Sequence, residues 1–230
     1  DSKFAESALE RQYSIANAFL NGQKRPVLGI LRLSAYEEAD NIMHEIADRA
    51  GDAPIAKRAL ITLARGYQKR GKFMEAYDVW SEISSKWPTG DTGRIALLEM
   101  AHSLHSEYKG PRYDSTMLLG ARSYYEDFAA RYPSYVDKYD INEKLQLIKE
   151  QLALKKFEVG QYYGRAELEE SAEMYYEATA QNFPETTASK MANDVLDGKG
   201  PKAKPKPFER KAFDTAVAFL DTWFGTTLIF

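Results

Sequence analysis

Residues 66–91 read "GYQKRGKFMEAYDVWSEISSKWPTGD". Two short helical patterns meet at Arg70-Gly71-Lys72, and the second runs out at Trp87-Pro88. Neither half has enough apolar face to fold alone, so the stretch has to stack against others of its kind. The rest of the chain supplies them. From Ala76, an aromatic (Trp80) lies four residues on, a proline (Pro88) twelve on, and a tyrosine (Tyr67) nine before, with Leu63-Ala64 a turn earlier. From Ala172 the same ruler finds Tyr176, Pro184 and Tyr163, preceded by Val159-Gly160. From Ala121 it finds Tyr125 and Pro133, with Met100-Ala101 and Leu104 upstream across the insert "SEYKGPRYDSTMLLG". A looser first unit pairs "SIANAFLNGQK" with Ala39 and Met43, and Pro54 falls fifteen residues after Ala39 rather than twelve.

Close packing explains the ruler. The alanine marks a helix crossing, where a side chain larger than methyl would hold the helices apart. The aromatic four residues on lies one turn along the same face. The proline ends the second helix, because the residue before it avoids the α region. Glycines such as Gly51 and Gly71 suit the tight exits. The tyrosines and tryptophans at these places therefore read as core rather than as a ligand box. The period and the helix–turn–helix unit are those of tetratricopeptide repeats, each of which buries its apolar face on its neighbours. The expected fold is all-α, a tetratricopeptide-like α-solenoid. It has about four helix pairs over residues 4–184, a fifth helix to about residue 196 and a C-terminal tail helix. Three segments follow: a solenoid over 1–197, a Lys/Pro linker over 198–207 and an amphipathic tail over 208–230.

Bulk properties narrow the function. Hydrophobic residues are 44% and charged residues 28% of the 230, which is globular rather than disordered. The formal net charge of -3 argues against nucleic acid as a partner, since phosphate-backbone binding draws on an excess of Lys and Arg. With no cysteine, thiolate catalysis, disulfides and cysteine-bound zinc are excluded within this chain. No apolar run reaches the ~18 residues of a membrane span. The opening "DSKFAESALERQY" reads as helix, not as a secretion signal.

Beyond the generic repeat, two units carry long inserts, and a long unbroken helical pattern precedes the fourth. A tyrosine-rich helix (Ala121, Tyr124, Tyr125, Phe128, Arg131, Tyr132, Pro133) is followed by Leu152, Ala153, Phe157, Val159, Gly160, Tyr162 and Tyr163. Ala172, Tyr176, Phe183, Pro184 and Thr186 complete the series. Over roughly residues 10–196 this pattern resembles the BamD-like outer-membrane lipoproteins of the β-barrel assembly machinery. The resemblance implies a non-enzymatic assembly factor at the periplasmic face of the outer membrane. Its partners would be unfolded outer-membrane proteins, held by the N-terminal repeats, and a barrel insertase, held by the C-terminal repeats. The family's lipidated N-terminal cysteine has no counterpart here, so membrane attachment through such a lipid would belong to residues outside this chain. The tail after Lys199 matches nothing in the family pattern. A general protein-interaction scaffold, with a cytoplasmic location, is the alternative.

"DGKGPKAKPKP" (197–207) cannot bury a core and reads as a semi-extended linker. After it, Phe208, Ala212, Phe213, Ala216, Val217, Leu220, Trp223 and Phe224 fall near one helical face. A cap on the last repeat, a partner-docking helix and a membrane-surface helix are the three readings of that face.

Catalytic chemistry has little to rest on. His102 and His105 lie at a spacing that could share a metal, but no third ligand is identifiable. The acidic "AELEESAE" (166–173) reads as a solvated turn and first helical turn. Nucleophile motifs, phosphate loops and paired carboxylates are absent, so no enzyme, cofactor or metal is expected. Aligning "SIANAFL", "TLARGYQ" and "EMAHSLH" suggests a binding groove instead. The residues after Ala16, Ala64 and Ala101 are Asn17, Arg65 and His102. One turn on lie Asn21 and Lys69, and one turn before Arg65, on the other flank, is Arg58. These donors suit a peptide's terminal carboxylate or backbone carbonyls.

Overall fold

The ruler is visible in the backbone. In this computed structural model, which describes residues 2–27 and 31–199, each proline it marks follows a helix that stops in the same way. Helix α4 (Phe73–Lys86) ends at Trp87, α6 (Thr116–Arg131) at Tyr132 and α8 (Glu169–Asn182) at Phe183. These aromatics have φ near −130° (−132, −131 and −131), off the helical region as a following proline demands. Each still donates its N–H to the carbonyl four residues back: Trp87 to Ile83 (2.9 Å), Tyr132 to Phe128 (2.8 Å) and Phe183 to Thr179 (3.1 Å).

The remaining helices are α1 (Ser2–Leu20), α2 (Tyr36–Ala50), α3 (Pro54–Lys69), α5 (Gly90–Glu107), α7 (Ile141–Arg165) and α9 (Thr187–Leu196). Two 3₁₀ turns, Pro133–Tyr135 and Asp137–Tyr139, lie between α6 and α7. Four helix pairs and a fifth first-helix are what the repeat pattern predicts. Pro54 opens α3 at its first turn instead of closing α2, which explains why it falls off the ruler. The third-unit insert is shorter than its sequence suggests: α5 runs to Glu107 and α6 starts at Thr116, leaving 108–115 as the connection.

One addition was not foreseen. The first-unit insert folds into β1 (Lys24–Val27) and β2 (Leu31–Ser34), an antiparallel pair. The helical pattern cannot continue there. Gly22, at φ 90°, closes α1 with its N–H on Phe19 O and the Gln23 N–H on Ala18 O, and Pro26 follows.

The turn inside the second repeat uses the same closure. Gly71, at φ 70°, donates to Gln68 O while Lys72 donates to Tyr67 O. This pair of bonds takes up carbonyls that the end of α3 leaves unpaired.

The chain divides into two compact units, 1–152 and 153–230. In the first, α1 packs on α2, α2 on α3, α3 on α4, α4 on α5 and α5 on α6. Its core is built at the positions the ruler marks. Ala16, Ala39, Met43, Leu63, Ala64, Ala76, Trp80, Ala101, Ala121 and Tyr125 are all fully buried. The Arg94 guanidinium lies 3.6 Å from the Tyr135 ring centroid and ties the 3₁₀ turns to α5. In the second unit α8 packs on α9, and Ala153, Phe157, Ala172, Tyr176, Ala188 and Ala192 form the core. The linker and tail expected over 198–230 lie, from residue 200 onward, outside the described residues. No helix among the described residues is long and apolar enough to cross a membrane.

Candidate functional site

A helix repeats its face every three to four residues, so a binding face on a first helix is a stripe. On α3 the stripe is Arg58, Thr62, Arg65 and Lys69. On α1 it is Glu10, Tyr13 and Asn17, continued by Asn21 just past the helix end, and on α5 it is Glu99, His102 and Ser106. All three lie in the first compact unit.

Side-chain bonds join the stripes. Between α1 and α3, Arg58 pairs with Glu10 and lies over the Tyr13 ring, 4.5 Å from its centroid. The Tyr13 and Thr62 hydroxyls share a hydrogen bond of 2.9 Å. Between α3 and α5, Gln68 Nε2 donates to Glu99 Oε2 at 2.8 Å and to Ser103 Oγ at 3.3 Å. His102 Nδ1 lies 3.5 Å from the same Glu99 oxygen, and its Nε2 lies 3.5 Å from Ser106 Oγ. Burial alone would raise the Glu99 carboxyl. The bond and charge of His102, the Gln68 bond and the Arg65 charge outweigh that and hold it below the ordinary carboxylate value. Glu99 is thus an anion fixed between two helices.

The six residues singled out from the sequence fare differently. Asn21 Nδ2 donates to Asn17 O (2.8 Å) and Asn17 Oδ1 (3.1 Å), so these two amides bond each other at the end of α1. Arg58 is engaged by Glu10 and Tyr13, and His102 by Glu99. Arg65 and Lys69 are exposed, and among the described residues no hydrogen bond or ion pair holds either. They sit four residues apart on α3, neighbours on one face. The structure therefore brings Arg65 and His102 together around Glu99 and leaves Arg65 and Lys69 as the donors open to a ligand.

Sequence reasoning missed Glu10, Gln68 and Glu99. The signal for Glu99 was present, since it lies three residues before His102 on the same face of α5. Glu10 and Gln68 pair across 48 and 31 residues, and no local spacing announces such contacts.

His102 and His105 do not share a ligand position. His105 is buried, with Nε2 3.0 Å from Gln151 Oε1 and its ring edge-on to Tyr125. Burial pushes its pKa down to about 4, and the Gln151 bond only partly opposes this. Among the described residues no cluster of three or more His, Asp or Glu could hold a metal.

Two exposed cations one turn apart on a helix face can donate to an acceptor-rich group. No curated protein matches the chain significantly. A family model does match, YfiO, described as outer membrane lipoprotein, over residues 27–197. The match spans α2 to α9, the helices that carry the ruler, and all but α1 of the face just described. Because it covers well over half of the sequence, the chain belongs to the outer membrane lipoprotein family.

Proposed function

We propose that the protein is a non-enzymatic factor for outer-membrane protein assembly, acting at the periplasmic face of the cell envelope. Unfolded β-barrel chains bind the face of α1, α3 and α5, and a barrel insertase is the second partner. Family membership supports the setting. The observation that carries the binding site is the open pair Arg65 and Lys69 beside donors already satisfied internally. An unfolded barrel chain presents unpaired backbone carbonyls and a terminal carboxylate, the acceptors that two exposed cations on one helix face attract.

The test is an extended peptide with a free C-terminal carboxylate, titrated against the chain and against Arg65→Ala with Lys69→Ala. The double variant is expected to weaken binding by ~1–3 kcal/mol, the scale of charge-assisted bonds. Helix content should be unchanged, because neither side chain packs in the core. Amidating the peptide should reproduce part of the loss. Equal affinity for amidated and free peptides, unchanged in the double variant, would remove this face as the site. Recovery of cytosolic proteins alone in a pull-down would favour a general interaction scaffold.

A further inference from the structure

Among the described residues β1 and β2 are the only strands, and they pair with each other alone. Facing residues in an antiparallel pair alternate. One pair exchanges both N–H···O bonds, and the next turns both groups outward. Pro26 faces Arg32, and with no N–H it cannot complete an exchanging pair. The exchanging pairs are therefore those on either side, Arg25 with Leu33 and Val27 with Leu31. The backbone groups of Lys24, Pro26, Arg32 and Ser34 then face away from the ladder.

The two outer edges differ as a result. On β1 the missing N–H of Pro26 blunts the edge, a common device against unwanted pairing. On β2, Arg32 and Ser34 each present an N–H and a carbonyl, two residues apart, which is the repeat a further strand needs. The charge is also one-sided. Residues 21–34 contain Lys24, Arg25 and Arg32 and no acid, in a chain whose net charge is -3.

We propose that the outer edge of β2 is a strand-addition site for an extended acidic polypeptide. Backbone bonds to Arg32 and Ser34 supply an affinity that is largely indifferent to sequence. The charge of the segment, three cations and no acid, favours an acidic incoming strand over a basic one. The edge uses none of the donors on α3 and α5 and would operate whatever binds there.

The experiment uses the full chain and a labelled peptide of alternating valine and glutamate, about nine residues long, a length typical of strands. Fluorescence anisotropy gives the affinity, and hydrogen–deuterium exchange locates the contact. The expected result is saturable binding with slowed exchange at the Arg32 and Ser34 amides. Lysine in place of glutamate should weaken binding by about tenfold. Ser34→Pro deletes one outward N–H without changing charge and should weaken it by about fivefold or more. The ladder amides of Leu33 and Leu31 report whether the hairpin survives that change. A peptide N-methylated on alternate residues needs no protein variant, and at least one of its two frames should lose binding. In the Arg65→Ala, Lys69→Ala chain the slowed exchange at the Arg32 and Ser34 amides should persist, whatever affinity the α3 face loses. Absence of binding, equal affinity for both methylated frames and the parent peptide, or protection on α3 and α5 instead of β2 would each overturn the proposal.

Discussion

The second and fourth repeats are the same object at one level and different objects at another. A shift of 96 residues carries Ala64 onto Gly160, Tyr67 onto Tyr163, Ala76 onto Ala172, Trp80 onto Tyr176 and Trp87-Pro88 onto Phe183-Pro184. Every one of these pairs sits at a helix crossing, a turn or a helix end. The same shift carries Arg58 onto Leu154, Arg65 onto Gln161 and Gln68 onto Gly164, and only Lys69 keeps a cation, at Arg165. Packing is repeated, and the donor face is not. Stacking needs each unit to fit its neighbour in one way, whereas a ligand needs its donors in one place only.

The largest test of that split is in the core. Trp80 is fully buried, so Trp80→Ala should cost about 3–5 kcal/mol, read from urea unfolding. Arg65→Ala beside it on the donor face should stay within about 0.5 kcal/mol. Comparable losses from the two would mean that the donor face is part of the packing.

Acid should separate the two units. All three histidines, His44, His102 and His105, lie in the first. His105 stays neutral in the fold down to about pH 4, whereas an unfolded chain protonates near 6.5. Between those values the unfolded state binds the extra proton, so stability is full above pH 6.5 and falls as pH drops toward 4. The loss should reach about 3 kcal/mol. Glu99 adds to the same limb at lower pH, because its carboxyl is held down in the fold. His105→Gln should flatten the upper part of that limb. An unchanged acid profile in this variant would assign the sensitivity elsewhere. The second unit, without histidine, should keep its amide protection over this range.

These comparisons also show what was legible in the sequence. Packing constraints recur with a fixed period, so the alanines, aromatics and prolines alone make the repeat fold legible. The hairpin was not legible, since two four-residue strands are held by cross-strand bonds that leave little periodic trace. On the donor face, Arg65 and Lys69 were legible as exposed cations on a first helix. Arg58's engagement was not, because Glu10 and Tyr13 reach it from another helix.

A third test asks how tightly the fourth repeat closes. Gly160 stands where the second repeat has Ala64. A Cβ built on Gly160 would lie 2.8 Å from Tyr176 Cε1 and 2.9 Å from its Cδ1. Both atoms belong to a ring packed against Phe157, with centroids 5.3 Å apart. Within a helix, Gly→Ala ordinarily stabilises by roughly 0.5–1 kcal/mol. Here overpacking should reverse the sign and cost about 1–3 kcal/mol, measured as slower-exchanging amides of α8 losing protection. A gain in stability would mean that the ring yields and that the crossing is looser than in the second repeat.

The smallest effect lies at the turn. Gly71 and Glu167 are related by the same shift, and both have positive φ, 70° and 60°. Both turns use the same two bonds: Glu167 donates to Gly164 O at 3.3 Å and Leu168 to Tyr163 O at 3.1 Å, as Gly71 and Lys72 do in the second repeat. The left-handed conformation costs a side-chain-bearing residue roughly 1 kcal/mol that glycine does not incur. Glu167 is exposed, and among the described residues no side-chain hydrogen bond or ion pair of its carboxylate offsets the strain. Glu167→Gly should therefore stabilise the second unit by a few tenths to about 1 kcal/mol, less than the full strain because glycine also gains freedom in the unfolded chain. Gly71→Ala should destabilise the first unit by a similar amount, since nothing within 4 Å of its Cβ position obstructs the side chain and only the backbone conformation resists. Thermal unfolding of the two variants reads both signs. Matching destabilisation in the pair would mean that Glu167 makes a contribution of its own to the turn, and that the two closures, alike in their bonds, are not alike in energy.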